Sequence, residues 1–474
     1  MEGDMVMRRE ASTAAAAAAG YQLVTDKYGR TYRWGETPEQ LTGHGRWLYI
    51  FVPWLAMMVI SSFEYAFGTA ENTLGKVYHW NLTQLTSILI FWVVFEAGAS
   101  FPTGWLRERG ILPANRAVLL GGIMVLLAYV SLTVDNLAIA LFGWIVLGGL
   151  GAGMVYSSCI NISSKWYPEN KGLRTGFING GFAYGAVPFI FIFSAYFHPD
   201  NFRIFLIALG VFFGTLLVVL SFFFRDPPKN WWPPQVDPIA YRDEVERRKE
   251  LHAHKNPPAT RVWTAGEALR TKNMYLLWLN MVTILSVGLF GIALTVPIAQ
   301  QLGWAGFAAA SAGALFALLD GVGRPIAGWI SDYLGRRQTM VLVFLTMALS
   351  QVGNYFGAVW HNLPLYVIAS GIAGLCTGMQ FPLFATLTAD YYSEATNAQN
   401  YGIIYSAKIP GGLVGGIIGS MVVTAVGSEG SFLVGAAVAA LAALLVLTHH
   451  QPTVEEYERV HARATAPAPG QQAP

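Results

Sequence analysis

Cysteine is nearly missing from the chain: Cys159 and Cys376 are the only two, both inside apolar runs. That excludes a disulfide framework and a cysteine metal site. Histidine is scarce where chemistry would need it. The nine histidines, at 44, 79, 198, 252, 254, 361, 449, 450 and 461, fall in loops, tails or helix ends. Charge is the third shortage, at 12% of residues against about one-quarter in soluble domains. No nucleophile–base pair, phosphate-binding glycine loop or metal-ligand spacing occurs. An enzyme is therefore not expected, no cofactor or metal is implied, and the formal charge of +2 gives no reason to expect a nucleic-acid partner.

What the chain has in abundance is hydrophobic sequence, 54% of its 474 residues. Runs of about twenty apolar residues, each long enough to cross a bilayer as a helix, recur along most of its length. Twelve spans are expected, at 47–70, 81–104, 114–134, 136–164, 170–196, 202–224, 273–300, 305–330, 338–360, 364–390, 398–426 and 430–449. The fold class is an all-α polytopic membrane protein, with twelve transmembrane helices in two six-helix bundles. The expected organisation is a cytosolic N-terminal tail over 1–45, a first bundle over 46–225, a central loop over 226–272, a second bundle over 273–450 and a cytosolic tail over 451–474. The tail, which includes Arg8 and Arg9, has no hydrophobic core near its start and is not a signal peptide. With both termini inside, 26 of the 30 Lys and Arg residues fall on the cytosolic side and two, Lys76 and Arg203, outside. This obeys the positive-inside rule for that topology; the expected location is the plasma membrane, the inner membrane of a bacterium. The remaining two cations are Arg324 and Lys408.

Two turns occupy matching positions in the halves. Gly104-Trp105-Leu106-Arg107-Glu108-Arg109-Gly110 follows the second span, and Gly328-Trp329-Ile330-Ser331-Asp332-Tyr333-Leu334-Gly335-Arg336-Arg337 follows the eighth. Both resemble the signature loop of the major facilitator superfamily, although the first copy lacks the aspartate. Small-xxx-small steps such as Gly411, Gly415 and Gly419, or Gly176 and Gly180, read as close helix contacts.

The functional reading starts from Leu318-Leu319-Asp320-Gly321-Val322-Gly323-Arg324-Pro325 and Tyr405-Ser406-Ala407-Lys408-Ile409-Pro410. Charges within a membrane span are costly and face the bundle interior or a water-filled path. Arg324 is eight residues before Asp332 and Lys408 eight after Asn400, so each lies about 12 Å in from the cytosolic face, near the midplane of a core about 30 Å thick. Two cations at one level suit a small anion. Arg324 also has Asp320 one turn away, where a purely structural ion pair would serve; Lys408 has no acid within one turn. By the same depth count Tyr156, Tyr184, Gln380, Phe381 and Tyr405 reach this level. Among the membrane acids, Asp320 and Glu96 are near mid-depth, while Glu64 falls in the outer half of the first span. Such acids are candidate proton carriers.

Several segments resemble the oxalate/formate antiporter family and its relatives, the monocarboxylate transporters. They are Lys165-Trp166-Tyr167-Pro168, Pro227-Pro228-Lys229-Asn230-Trp231, Gly323-Arg324-Pro325 with Gly328-Trp329, and Tyr401-Gly402 with Tyr405, Ala407 and Lys408. The resemblance implies that Arg324 and Lys408 grip substrate carboxylates, with Tyr65, Tyr156 and Tyr184 as pocket tyrosines. Asp320 beside Arg324 looks like the proton-and-substrate pair of monocarboxylate transporters, and Glu64 stands where the oxalate transporter has a neutral amide. Arg324 and Lys408 alone carry +2, matched to a dianion; with Asp320 ionised the total is +1, matched to a monoanion. The expectation is secondary active transport of small mono- or dicarboxylates, such as lactate, pyruvate, formate or oxalate, by alternating access, with proton coupling or anion exchange. The expected unit is a monomer whose partners are a carboxylate, a proton and the lipid bilayer. The rival reading is a transporter-derived sensor or assembly factor that moves no solute.

Overall fold

The computed structural model describes residues 20–465 except 27–29, 135, 170, 253–254, 305 and 394–395, so Arg8, Arg9 and the last nine residues of the C-terminal tail lie outside the described residues. Eleven helical stretches are long and apolar enough to cross a membrane. The last of them, 48 residues from Gln399 to Val446, is two passes. Gly427 interrupts it with φ +84° and ψ 163°, a backbone conformation open to glycine and strained for other residues. Twelve passes result, as the hydropathy pattern predicts.

The passes are α1 (Leu48–Tyr65, continuing past a bend at Ala66 as Phe67–Tyr78), α2 (Leu82–Glu108), α3 (Ala114–Ser131) and α4 (137–166). They continue with α5 (Lys171–Tyr184, then Val187–Tyr196), α6 (Phe202–Ser221), α7 (Lys272–Gln301) and α8 (Phe307–Leu334). The last four are α9 (Arg336–Val359), α10 (Leu363–Tyr392), α11 (397–426) and α12 (428–446). Two of these bounds move what the sequence placed elsewhere. α1 runs to Tyr78 rather than residue 70, so its centre falls at about Phe63 and Glu64 belongs at mid-span, not in the outer half. α5 breaks at Gly185 and Ala186 just before Pro188, where proline cannot supply the helical N–H.

Across the seam between the halves, backbones meet closely. A Cβ on Gly180 of α5 would lie 2.8 Å from the Gly321 carbonyl of α8, and one on Gly321 would lie 2.7 Å from the Gly180 carbonyl. On the side away from the tails, a Cβ on Gly68 of α1 would lie 3.3 Å from the Ala293 carbonyl of α7, and Ser420 of α11 donates to Thr83 of α2 at 3.2 Å. The far side is therefore sealed by α1 on α7 and α2 on α11. Pro297 explains the free carbonyl at Ala293, because it lacks the N–H that would bond four residues back.

The tail face carries structure that the helical pattern does not announce. Strands β1 (Gln22–Thr25) and β2 (Thr31–Trp34) form an antiparallel hairpin, and β2 pairs in parallel with β3 (Trp231–Trp232) from the central loop. Trp231 is buried and packs edge-on to Trp166 at 4.9 Å, which stacks on Tyr49 at 4.2 Å. Arg46 clamps Glu169 with two hydrogen bonds of 2.5 and 2.6 Å. The sheet thus rides on the first half. The central loop also holds a helix, Pro238–His252. Trp231→Ala should undock the hairpin, at about 3 kcal/mol for an emptied tryptophan site; limited proteolysis at Arg30 and Arg33 would then accelerate while the transmembrane core stays resistant.

The repeated turns hold the tail face of each half. Arg336 pairs with Asp332 at 2.6 Å and with Asp390 at 3.4 Å. In the first copy the missing aspartate is supplied from outside the motif: Asp226 of the central loop accepts from Arg107 at 3.1 Å and from Lys165 at 3.1 Å.

Candidate functional site

Arg324 and Lys408 face a common space at the seam of the two halves. Helix geometry brings Asp320 and Arg324, four residues apart on α8, onto one face. Asp320 is fully buried, and its Oδ1 accepts from the Arg324 guanidinium at 3.2 Å. Tyr65 of α1 donates to Asp320 Oδ2 at 2.6 Å, and Arg324 reaches the Tyr65 hydroxyl at 3.4 Å. Arg324 also crosses to α5, donating to the Asn179 carbonyl at 3.0 Å and to Asn179 Oδ1 at 2.5 Å. Tyr156 of α4 donates to the same Oδ1 at 2.9 Å. The guanidinium is therefore bonded to both halves at once, with the Phe381 ring 5.4 Å from its carbon.

Lys408 pairs wholly across the seam. Its ammonium lies 3.1 Å from Glu96 Oε2 on α2 and 3.5 Å from Glu64 Oε2 on α1, with the Phe182 ring 5.9 Å away. All three charged side chains are almost completely buried. Such an arrangement holds only while paired, since a buried charge without a partner costs several kcal/mol.

Between the two clusters lies a cavity of about 10 Å³ lined by Glu64, Tyr65, Tyr156, Arg324, Tyr405 and Lys408 on its polar side. Phe182 and Phe381 contribute the aromatic walls, and Leu285, Leu289 and Ile292 of α7 the aliphatic ones. That is room for about one water molecule. The site is closed down onto itself, and a carboxylate could enter only by pushing the protein's own acids off the cations.

Nine of the eleven residues singled out from the sequence converge here: Glu64, Tyr65, Glu96, Tyr156, Asp320, Arg324, Phe381, Tyr405 and Lys408. Two do not. Tyr184 turns towards α1, accepting from the Trp54 indole at 2.9 Å and donating to the Phe177 carbonyl at 2.8 Å, with its ring against Gly321. Gln380 is buried between α10 and α7, beside Gly288, outside the cavity lining; Thr377 and Phe381 are the residues α10 presents instead. Residue spacing gives depth along a helix but not the direction a side chain takes, and both misplacements have that cause. Asn179 went unnoticed because it lies only five residues past Arg174, short of the depth used as the filter.

The charge arithmetic changes as well. Counting Asp320 alone against the two cations gives +1, but Glu96 stands 3.1 Å and Glu64 3.5 Å from Lys408, beside 3.2 Å for Asp320 and Arg324. With every group ionised, two cations face three carboxylates and the cluster carries −1.

The chain matches the family model of the Major Facilitator Superfamily over residues 53–285 and 276–470. It is 26% identical over 395 residues to the oxalate:formate antiporter of Oxalobacter formigenes, covering 82% of this chain and 88% of that one. It is 25% identical over 354 residues to the uncharacterized MFS-type transporter YhjX of Escherichia coli, covering 71% and 81%. Among solved structures, a peptide transporter in complex with sulfate superimposes with a TM-score of 0.64 at 15% identity, over 90% of this chain and 97% of that one; this is a likeness of fold.

Proposed function

The chain belongs to the major facilitator superfamily, and from that premise we propose that it is a secondary carrier of small carboxylates in which substrate and protons exchange places on two buried cations. The observation that carries this reading is the cavity walled by Arg324 and Lys408, each cation held by protein acids and not by backbone alone. A substrate carboxylate is the chemical equivalent of the side chains it would displace. It accepts from the guanidinium in place of Asp320, or from the ammonium in place of Glu96 and Glu64, so no cation is left bare. An acid displaced in this way lies in a low-dielectric site with no counterion, where it takes up a proton. Holding the cluster's charge unchanged requires one proton per unit of substrate charge. Direct anion-for-anion exchange meets the same condition without proton movement, since the cations never lose their partners.

Tyr65, Tyr156 and Asn179 act as the frame. Because Arg324 bonds to α5 and Lys408 to α1 and α2, both cations of the second half are tied to the first. Those ties hold the closed form, and substrate charge competes for them, which is how binding biases an equilibrium between packings of the two halves. In this reading the tail face is cytosolic and the working unit is a monomer in the plasma membrane.

The test is thermal stabilisation of purified protein by formate, lactate, pyruvate and oxalate at two pH values. A ligand that binds the folded state raises its melting temperature; the expected result is a carboxylate-specific rise that is larger at the lower pH. No shift with any carboxylate at either pH would overturn the reading. Counterflow of labelled carboxylate in proteoliposomes separates a carrier from a sensor, which would bind without exchanging label.

A further inference from the structure

One buried charge-bearing side chain plays no part in the anion site. Glu71 sits on the far-side segment of α1, Phe67–Tyr78, and is 2% exposed. Neither of its carboxylate oxygens has a hydrogen-bond partner among the described residues. Among the described residues no cation forms an ion pair with it. The elements packed on this segment are α7, the outer part of α5, α2 and the rest of α1, with α4 meeting it through Trp144 on Phe67 and α6 through Phe202 on Tyr78. α6 carries Arg203, whose guanidinium stands over the Phe202 ring at 5.6 Å, and α4 carries Tyr156 at the anion site, Cys159, and Lys165 at its tail-face end. α7 carries Lys272 and Tyr275 at its tail-face start, and outer α5 carries only Tyr196, which is exposed. α2 carries Glu96, engaged with Lys408, and Arg107 and Glu108 at its tail-face end. On α1 itself the titratable neighbours are Tyr65, bonded to Asp320, Lys76, exposed five residues on, Tyr78, bonded to the Leu132 carbonyl, and Glu64 seven residues before.

An ionised carboxylate buried without cation or donor is not tolerated, whereas a carboxylic acid is. Glu71 also stands at a particular place. It is one turn from Gly68, the residue through which α1 closes against α7, so it is shut in by the far-side seal. It shares a helical face with Glu64, about 10 Å away along the axis. Resting on the carrier reading above, we propose that Glu71 is a second proton-binding site. It holds a proton while the far side is sealed, and exchanges it with far-side water when α1 and α7 part. The proton comes from and returns to water, and Glu64 is the next acid along the same face, through which the load reaches the Lys408 cluster. No other reactant is needed.

Two measurements test this. The infrared spectrum of purified wild-type protein at neutral pH is expected to contain a protonated-carboxyl C=O band that E71Q lacks. Identical carboxyl regions would overturn the proposal. Should E71Q fail to fold, E71L preserves volume without a polar group and serves for the same comparison. In proteoliposomes, counterflow of labelled oxalate and formate is followed while only the far-side pH is varied. Wild-type rates are expected to follow a proton titration, approaching about tenfold per pH unit on its steep limb, and E71Q to lose that dependence. An unaltered pH profile in E71Q would overturn the proposal. If no carboxylate exchanges in either protein, it is the carrier reading that fails, while the infrared comparison still decides whether Glu71 holds a proton.

Discussion

Lys408→Ala is expected to reduce carboxylate uptake by about 100-fold, the equivalent of roughly 3 kcal/mol for a desolvated charge contact. The same substitution leaves Glu96 and Glu64 facing each other with no cation, a loss of about 3–5 kcal/mol in folding stability. Loss of uptake alone would therefore be ambiguous. The double variant Lys408→Ala with Glu96→Gln resolves it by removing one of the stranded charges. Its melting temperature should recover most of the loss, and its uptake should stay as low as that of the single variant. If instead uptake returns with stability, Lys408 is a structural counterion for the two acids and the anion site is elsewhere. Surface abundance measured alongside uptake would show whether each variant reaches the membrane.

Arg324 offers the second large effect, through shape and not charge. Its guanidinium meets Asp320, Tyr65 and Asn179 simultaneously, which a lysine ammonium cannot do from one position. Arg324→Ala should abolish uptake. Arg324→Lys should keep the ion pair with Asp320 but lose the fork that would hold a planar carboxylate, with uptake down roughly 30-fold, about 2 kcal/mol. Most of that loss should appear in the KM for the carboxylate, and initial-rate counterflow over a range of substrate concentrations measures it. A wild-type KM in Arg324→Lys would mean that a point charge suffices and that bidentate grip plays no part.

The helix count and the two isolated cations were readable because lipid imposes them: a span must be long and apolar, and a charge within it stands out. The pairing of Arg324 with Asp320 follows from helical spacing and was readable for the same reason. The partners of Lys408 were not, because Glu64 and Glu96 come from helices more than 300 residues away in sequence, and nothing in either helix states which way it faces. Tyr184 and Gln380 show the same gap from the other side, with the right depth and the wrong azimuth. Glu71 falls outside the first span because the hydropathy pattern ends at residue 70, before the polar run that α1 carries into the far side. The hairpin at Gln22–Trp34 escaped for a different reason. Four-residue strands are too short for a period of two to rise above chance, and their partner, Trp231–Trp232, lies on the other side of six membrane passes.

That hairpin alters what the connection between the halves can do. A central loop of this length would ordinarily be a slack tether. Here Trp231 is fastened under β2 to the first half, and Asn256 is fastened to the second, donating to the Ser331 carbonyl at 3.1 Å and accepting from the Arg336 amide at 2.8 Å. The start of the Pro238–His252 helix is pinned to the first half as well, Tyr241 donating to the Glu169 carbonyl and Arg242 to the Tyr32 hydroxyl at 3.2 Å, so only residues 243–255 span the interval, and most of them belong to that helix, which covers far less distance per residue than extended chain. The connection then behaves as a short leash with a stiff middle. It sets a mechanical stop on how far the tail face can gape, so lengthening it should widen the swing of the bundles without touching a residue that meets the substrate.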